Sequence, residues 1–315
     1  MHNVLPFWQR DGMAIACSFA MQHLRFLQYV DAVARCGSFR GAAERLHVAA
    51  SAVNRRIQDI EDELGVCLFE RLPRGVRLTT EGELFVAYAR RRQADLEGVL
   101  AQMQALKGLQ RGTVKLAISQ ALAPSFLPRL MGQFQRSHPK VDFEVKVLDH
   151  ALAIEALQGF EADVGMVFNP PVRHGLDVLA KMPARTCAVM AQGHPLAQRA
   201  SVGLKECFAY PVVMPDASLA GRAILDRVVS ATGLHPNVVL QANAFELMFG
   251  YLRHSQAIGF QTRVGDEAPP GLQWVPIQER RLHAGTVALL ALPQRVLPAC
   301  TAAFAQHVAH CMAEA

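Results

Sequence analysis

Apolar residues first recur at helical spacing from His23 to Cys36, where Phe26, Leu27, Val30, Val33 and Ala34 make one stripe. Gly37 then supplies a C-terminal stop and Ser38 an N-cap for a second helix through Leu46. Ala42 and Ala43 in that helix are small enough for a close helix crossing. A third helix is predicted from Ala50 or Ser51 to just before Gly65, with Val53, Ile57, Ile60 and Leu64 on its apolar stripe. Pro73, Arg74 and Gly75 at the centre of Glu70 to Leu78, flanked by Leu72, Val76 and Leu78, predict a small hairpin. Thr79 or Thr80 caps a long helix to about Gln110. In it Phe85, Ala89, Arg92, Leu96, Val99, Met103 and Leu106 follow 4-3 spacing, the seam of a paired helix, with Arg92 a misfit. A long helix packed on its own domain is the competing arrangement.

After Arg111-Gly112 the pattern changes to alternating strands and helices. Strands are predicted at Val114 to Ser119, Val141 to Val147, Ala162 to Phe168, Thr186 to Ala191, Pro211 to Met214, Val238 to Gln241, Ala257 to Phe260 and Thr286 to Ala291. Helices at Pro124 to Arg136, Ile154 to Gln158, Ser218 to Thr232, Asn243 to Ser255 and Cys300 to Ala313 fill the intervals. Such alternation implies α/β sheets with helices on both faces. Ligands in these folds sit beyond the carboxyl ends of strands, at helix N-termini.

Length and composition narrow the class. The 315 residues suit about two or three domains, and a hydrophobic content of 51% provides for large cores. The net charge of +5 is mild, but no Lys precedes Lys107, so the basic groups of the first third are all Arg, the fork that fits guanine edges and phosphates. A GC-rich codon bias would produce the same exchange. Seven scattered cysteines (17, 36, 67, 187, 207, 300, 311) with no C-x-x-C fit reduced thiols in a cytoplasm. No apolar run reaches the roughly 18 residues of a membrane span. Residues 1–20 read as an extension, with Met21 an alternative start, because Asp11 precedes the apolar run and no small-x-small cleavage site follows it.

The three-helix order followed by a basic hairpin is that of a helix-turn-helix holding one helix in a DNA major groove. With Val53 and Ile57 inward, Ser51, Arg55 and Gln58 point outward and Asn54 lies beside them. Asp59, Glu61, Asp62 and Glu63 crowd the far half of the helix, so the groove receives the near half. Arg71, Arg74 and Arg77 on the hairpin suit a minor groove or the backbone. Arg40 on the second helix completes the basic set. The alternatives are an ordinary amphipathic surface helix and a solvated basic loop.

Several stretches resemble LysR-type transcriptional regulators. They are Gly37-Ser38-Phe39, Ala42-Ala-Glu-Arg-Leu-His47, Ile57-x-x-Ile60-Glu61, Glu63-Leu-Gly-Val-x-Leu-Phe-Glu-Arg71 and Arg77-Leu-Thr-x-x-Gly82. Leu127-Pro128, Phe134, Pro139, Asp163-Val-Gly, His194-Pro-Leu-Ala and Glu246-Leu-Met through Gly259 extend the likeness to the C-terminus. The resemblance implies a winged helix-turn-helix, all-α with a small β wing, over 21–79, a dimerising linker helix over 80–110 and an α/β, two-lobed, periplasmic-binding-protein-like effector domain over 111–315. Lobe I would take 111–182 and 284–315, and lobe II 183–283. It also implies a homodimer, commonly a homotetramer, that binds double-stranded DNA and a small-molecule effector. The family's usual Ser-Gln is Ala49-Ala50 here, which shifts base reading toward Asn54, Arg55, Ser51 and a thymine-methyl contact by Ala50. Ser119 and Gln120 occupy the loop where the family's effector carboxylate docks, with Asn243, Gln261 and Thr262 from the second lobe and Phe168 and Phe260 as apolar walls. Helix starts at Ser125 and near Asn243 would face each other across the cleft, and no Lys or Arg stands in these loops. The expected effector is therefore a small organic acid, mono-anionic or weakly polar, with no cofactor and no metal.

Enzyme motifs are missing: the chain has no G-x-S-x-G, H-E-x-x-H, P-loop or dinucleotide fingerprint. His307-x-x-His310-Cys311 is a last-turn cluster before it is a metal site, and Cys187 and Cys207 are buried thiols before they are a redox pair. Two other functions compete: a periplasmic solute-binding protein and a ligand-independent DNA-binding repressor.

Overall fold

The structure is a computed structural model that describes residues 25–106, 111–124, 126–170, 175–264, 268–279, 282 and 285–314. The extension over 1–20, the helix start at Ser125 and the side chain of Leu106 lie outside the described residues. The chain forms two compact units that divide near Glu97 and Gly98.

The first unit contains α1 (Arg25–Cys36), α2 (Phe39–Leu46), α3 (Ala50–Leu64), the hairpin of β1 (Phe69–Arg71) and β2 (Val76–Leu78), and α4 (Thr80–Leu106), which runs on past the boundary. Its core joins Val30 and Val33 of α1, Ala42 and Ala43 of α2, and Val53, Ile57 and Ile60 of α3 with Leu68, Phe69 and Val86. The turn between α1 and α2 follows the expected chemistry: the Ser38 hydroxyl accepts from the Gly41 N–H at 3.1 Å. Glu61 is not a surface charge. Its carboxylate accepts from the N–H groups of Leu68 (2.7 Å) and Phe69 (3.0 Å), which ties the hairpin to α3. Gly75, at φ +91, lets the hairpin turn lie against Gly37, whose carbonyl accepts from the Val76 N–H at 2.8 Å. Thr79 caps α4, accepting from the Gly82 N–H at 2.9 Å while donating to the Cys67 carbonyl at 2.7 Å. Asp31 accepts from Arg35 at 2.7 Å and from Arg90 of α4 at 2.6 Å, a half-buried bridge between α1 and α4.

The stripe of α4 differs from the 4-3 seam read in the sequence. Val86 and Ala89 are buried in the unit's own core, and Phe85 packs beside them. The exposed apolar residues are Leu84 (72%), Tyr88, Val99 and Met103 (55%). Arg92 lies over the Tyr88 ring and pairs with Asp95 at 3.6 Å on that outer side. Of the residues read as a seam, Phe85 packs against the unit's core and Ala89 is buried, while Val99 and Met103 stand exposed.

The second unit is built on a sheet that runs, among the described residues, β4 (Val141–Leu148), β3 (Gly112–Ser119), β5 (Val164–Phe168), β11 (Gly285–Ala291), β6 (Asp177–Ala191), β9 (Ile258–Arg263), β7 (Val212–Pro215) and β8 (Val238–Ala242), with β10 (Leu272–Pro276) also on β6. One strand joins two half-sheets. The first part of β6 pairs antiparallel with β11, from Asp177 to Ala184, and the rest pairs with β9 and β10, from Arg185 to Ala191. α5 (Phe126–Ser137), α6 (His150–Gln158) and α10 (Ala299–Ala313) belong with the first half. α7 (Leu204–Cys207), α8 (Ala220–Thr232) and α9 (Phe245–Arg253) belong with the second. Asp163 and Arg295 form a buried ion pair between the start of β5 and the loop before α10, with Arg295 stacked on Phe160.

Three element readings change. β6 begins nine residues before the expected Thr186, in a stretch whose Lys181, Pro183 and Arg185 carry no strand signal. β10, the five residues of Leu-Gln-Trp-Val-Pro, is too short to read. α6 starts at His150 instead of Ile154, because Asp149 accepts from the Leu152 N–H at 2.8 Å and caps it. Among the described residues no helix is long and apolar enough to cross a membrane.

Candidate functional site

The basic face of the first unit comes from α3 and the hairpin. Ala50, Ser51, Arg55 and Gln58 are all exposed, as the helical geometry requires once Val53 and Ile57 turn inward. Arg55 is exposed and has no partner among the described residues. Asn54 is half-buried, and its amide oxygen accepts from Arg71 Nη2 at 2.8 Å, leaving the amide NH2 for other contacts. Arg71 also lies 5.2 Å over the Phe39 ring, so it braces hairpin against helix. Arg77 is held by Glu70 at 2.6 Å, and that pair raises its pKa. Arg74 stands exposed in the turn beside Gly75. Arg40 is exposed and within 3.3 Å of Glu44. The three hairpin arginines are therefore not equivalent: Arg74 is open, whereas Arg71 and Arg77 are engaged within the unit. Ala49, the N-cap of α3, offers no side-chain hydrogen bond. The first N–H groups of the helix stay open to an anion.

In the second unit the carboxyl ends of β3, β4, β5 and β7, with β6 and β9, surround a solvent-open cleft. Six residues singled out in the sequence line it: Ser119, Gln120, Phe168, Phe260, Gln261 and Thr262. Asn243 does not. It is exposed, the N-cap of α9 is Ala244, and Phe245 takes the place in the wall, so Asn243 is removed from the candidate set. Of the two expected helix starts, Ser125 lies outside the described residues, and the one near Asn243 is the start of α9, whose first residue Phe245 lines the cleft. The N-termini of α6, at Asp149 and His150, and of α8, at Leu219 and Gly221, line it as well. The α8 N-cap, Leu219, has no side-chain hydrogen bond to give.

The polar groups of the wall have defined roles. Ser119 is buried, and its oxygen accepts from the Phe168 N–H at 3.1 Å, which leaves its own proton to donate. Thr186 and Thr262 are buried beside it. Two atoms have no partner: the buried amide oxygen of Gln261 and the buried Nδ1 of His150. Asp149 is the acidic group of the wall, and among the described lining residues none is Lys or Arg. Arg222, one turn into α8, is turned to other work, with Nη1 donating to the Pro215 carbonyl at 2.8 Å and Nε to Asp226 at 2.7 Å. Sequence reasoning missed Asp149, His150, Thr186, Ser218, Leu219 and Phe245. An Asp directly after the alternating strand Val141–Leu148 is the signal that could have placed the first two, since it marks a helix cap at a strand's carboxyl end.

Among the described residues no cluster of three or more His, Cys, Asp and Glu could hold a metal. His310 pairs with Glu314 at 3.3 Å, and His307 packs on Phe134 and Phe304. Burial pushes the Cys187 thiol up and that of Cys207 up to about 12, the reverse of a reactive pair.

Residues 24–83 match the bacterial regulatory helix-turn-helix of the lysR family, and residues 107–312 match the LysR substrate binding domain. The RuBisCO operon transcriptional regulator of Allochromatium vinosum is 30% identical over 210 residues, 67% of this chain and 69% of that protein. A full-length OxyR variant from Pseudomonas aeruginosa shares the fold at a TM-score of 0.69, with 21% identity over 90% of this chain and 94% of that one. Full-length CbnR complexed with target DNA shares it at 0.60, with 21% identity over 90% and 98%. A winged helix-turn-helix joined by one long helix to an α/β effector-binding domain, matched over both parts, makes this chain a member of the LysR family, a DNA-binding transcriptional regulator and not an enzyme.

Proposed function

We propose that this regulator works in the cytoplasm as a homodimer, able to pair further into a tetramer, and that its effector is a small mono-anionic organic acid. The acid would bind in the cleft between lobe I (111–182 and 284–315) and lobe II (183–283), and its arrival would change the disposition of the DNA-binding domains. The observation that carries this reading is the composition of the cleft. Ser119, Gln120 and His150 offer donors and the open start of α8 offers backbone N–H groups, while Phe168, Phe245 and Phe260 supply apolar wall. With no Lys or Arg among the described wall residues and Asp149 present, a phosphate or a dianion is poorly matched, whereas one carboxylate is well matched. Calorimetric titration of simple monocarboxylates into the full-length protein tests it. No heat from any of them at millimolar concentration, with Ser119→Ala unchanged in every response, would leave a ligand-independent repressor.

On the DNA side, Arg55 is the proposed base reader, with Ser51, Gln58, Ala50 and the free amide of Asn54 around it. Arg55→Ala is expected to weaken operator binding by about 1–3 kcal/mol and to affect random DNA far less. Equal losses on both DNAs, at fixed salt, would make Arg55 a phosphate contact. The outer face of α4 supports the dimer: Leu84, Tyr88, Val99 and Met103 are large apolar groups left exposed on one chain. Met103→Glu is expected to shift the sedimenting species toward monomer at micromolar concentration, and an unshifted dimer would place the pairing surface elsewhere.

A further inference from the structure

The two orphaned atoms of the cleft ask for different things. Gln261, on β9, is 5% exposed, and its amide oxygen is buried with no hydrogen-bond partner. An amide oxygen can only accept, and a buried acceptor left unmet is destabilising, so it calls for a donor brought from outside. His150 contributes the second orphan from the other half of the sheet, a buried Nδ1 that donates once it carries a proton. Ser119 already accepts from the Phe168 N–H and is left with a proton to give. The donors of the wall thus suit a carboxylate, and Gln261 Oε1, as the amide is oriented, asks for a donor.

Resting on the reading of the cleft as a monocarboxylate site, we propose that the effector is a hydroxycarboxylate and that Gln261 is the residue that selects it. The carboxylate accepts from His150 Nδ1–H, the Ser119 hydroxyl and the first N–H groups of α8. The hydroxyl donates to Gln261 Oε1. Ligand and protein then have no unmet polar group, and a ligand lacking the hydroxyl leaves Gln261 Oε1 unpaired. Discrimination of this kind is large because the loss is that of a desolvated acceptor and not of a surface contact.

Matched pairs of acids test it on the full-length protein by calorimetry: benzoate against 2-, 3- and 4-hydroxybenzoate, and isovalerate against 2-hydroxyisovalerate. At least one hydroxy acid is expected to bind about tenfold or more tighter than its parent. In Gln261→Met, which keeps the length of the side chain and removes the acceptor, that ratio is expected to fall to about one. Gln261→Leu serves the same purpose where the Met variant does not keep the native melting profile, and the wild-type ratio needs no variant. Acids that bind with no preference for the hydroxyl, or a preference that survives loss of Gln261, overturn this proposal and leave the monocarboxylate reading standing. No binding by any member of either pair overturns both.

Discussion

Gly82 gives the sharpest test of how the DNA-binding unit is assembled. It sits in the first turn of α4, where helix propensity alone favours replacing it by Ala, with a gain of roughly 0.5–1 kcal/mol. The packing predicts the opposite. A Cβ built on Gly82 would lie 2.0 Å from the Leu68 carbonyl oxygen and 2.9 Å from its carbon. Carbon and oxygen come no nearer than about 3.3 Å even in weak hydrogen bonds, so more than about 1 Å of overlap must be removed. The obstacle is backbone that Glu61 pins from the other side, through its bond to the Leu68 N–H, so no rotamer change relieves it. Overpacking of this kind costs about 1–3 kcal/mol, and with backbone on both sides the upper end applies. Setting that against the propensity gain leaves a loss of about 2 kcal/mol, or roughly 8–16 °C in the Tm of a unit this small. Gly132 in α5 is the control, because nothing lies within 4 Å of its Cβ position. There Ala is expected to be neutral or stabilising by up to about 1 kcal/mol. Scanning calorimetry of Gly82→Ala and Gly132→Ala full-length proteins makes the comparison. A Gly82→Ala protein that melts at or above the wild-type temperature would refute the close approach of α4 to Leu68.

Two further outcomes follow from particular side chains. Ala49→Ser supplies the hydroxyl that the α3 N-cap lacks and is expected to stabilise the protein by about 1 kcal/mol in a denaturant titration, while altering operator affinity if a phosphate now uses those N–H groups. Alkylation of the native protein near pH 8 should label the exposed Cys67 and spare Cys207, whose thiol is buried and pushed up to about 12, and mass spectrometry showing equal labelling would contradict that burial.

The DNA-binding unit was legible because its signals are local. Gly37, Ser38, the Ala42-Ala43 pair and the Val53–Ile57–Ile60 stripe each act within a turn or two of their own position. What could not be read is long-range. Phe85 fits a coiled-coil seam by its spacing, yet it packs against the core that holds Val30 and Val33 of α1, a contact more than fifty residues away in the chain. Leu64 continues the α3 stripe yet is exposed, since the core ends one turn earlier. The cleft was half legible for the same reason. Strand ends announced Ser119, Gln120, Phe168 and Gln261, but Thr186 lies in a strand whose approach to it carries Lys181, Pro183 and Arg185, and Asn243 sits two residues before Phe245, which lines the cleft. Glu61 counts in the sequence only as one of four acids on the far half of α3, and its bond to the Leu68 N–H shows its use.

The position of β11 bears on how the protein comes to be made. This strand, Gly285–Ala291, lies between β5 and β6 in the middle of the sheet, although it is the last strand of the chain to be synthesised. During translation β5, buried along its whole length in the finished protein, therefore waits with an open edge while some 123 residues separate its end at Phe168 from the end of β11 at Ala291. At ribosomal rates of about 5–20 residues per second that wait is roughly 6–25 s. An unpaired apolar edge is a template for a second nascent chain, so truncation or stalling ahead of residue 285 leaves a species prone to aggregate, one that a chaperone would have to cover. The helix-turn-helix has no such dependence on the C-terminus, since the partners of its core are all made within the first 90 residues.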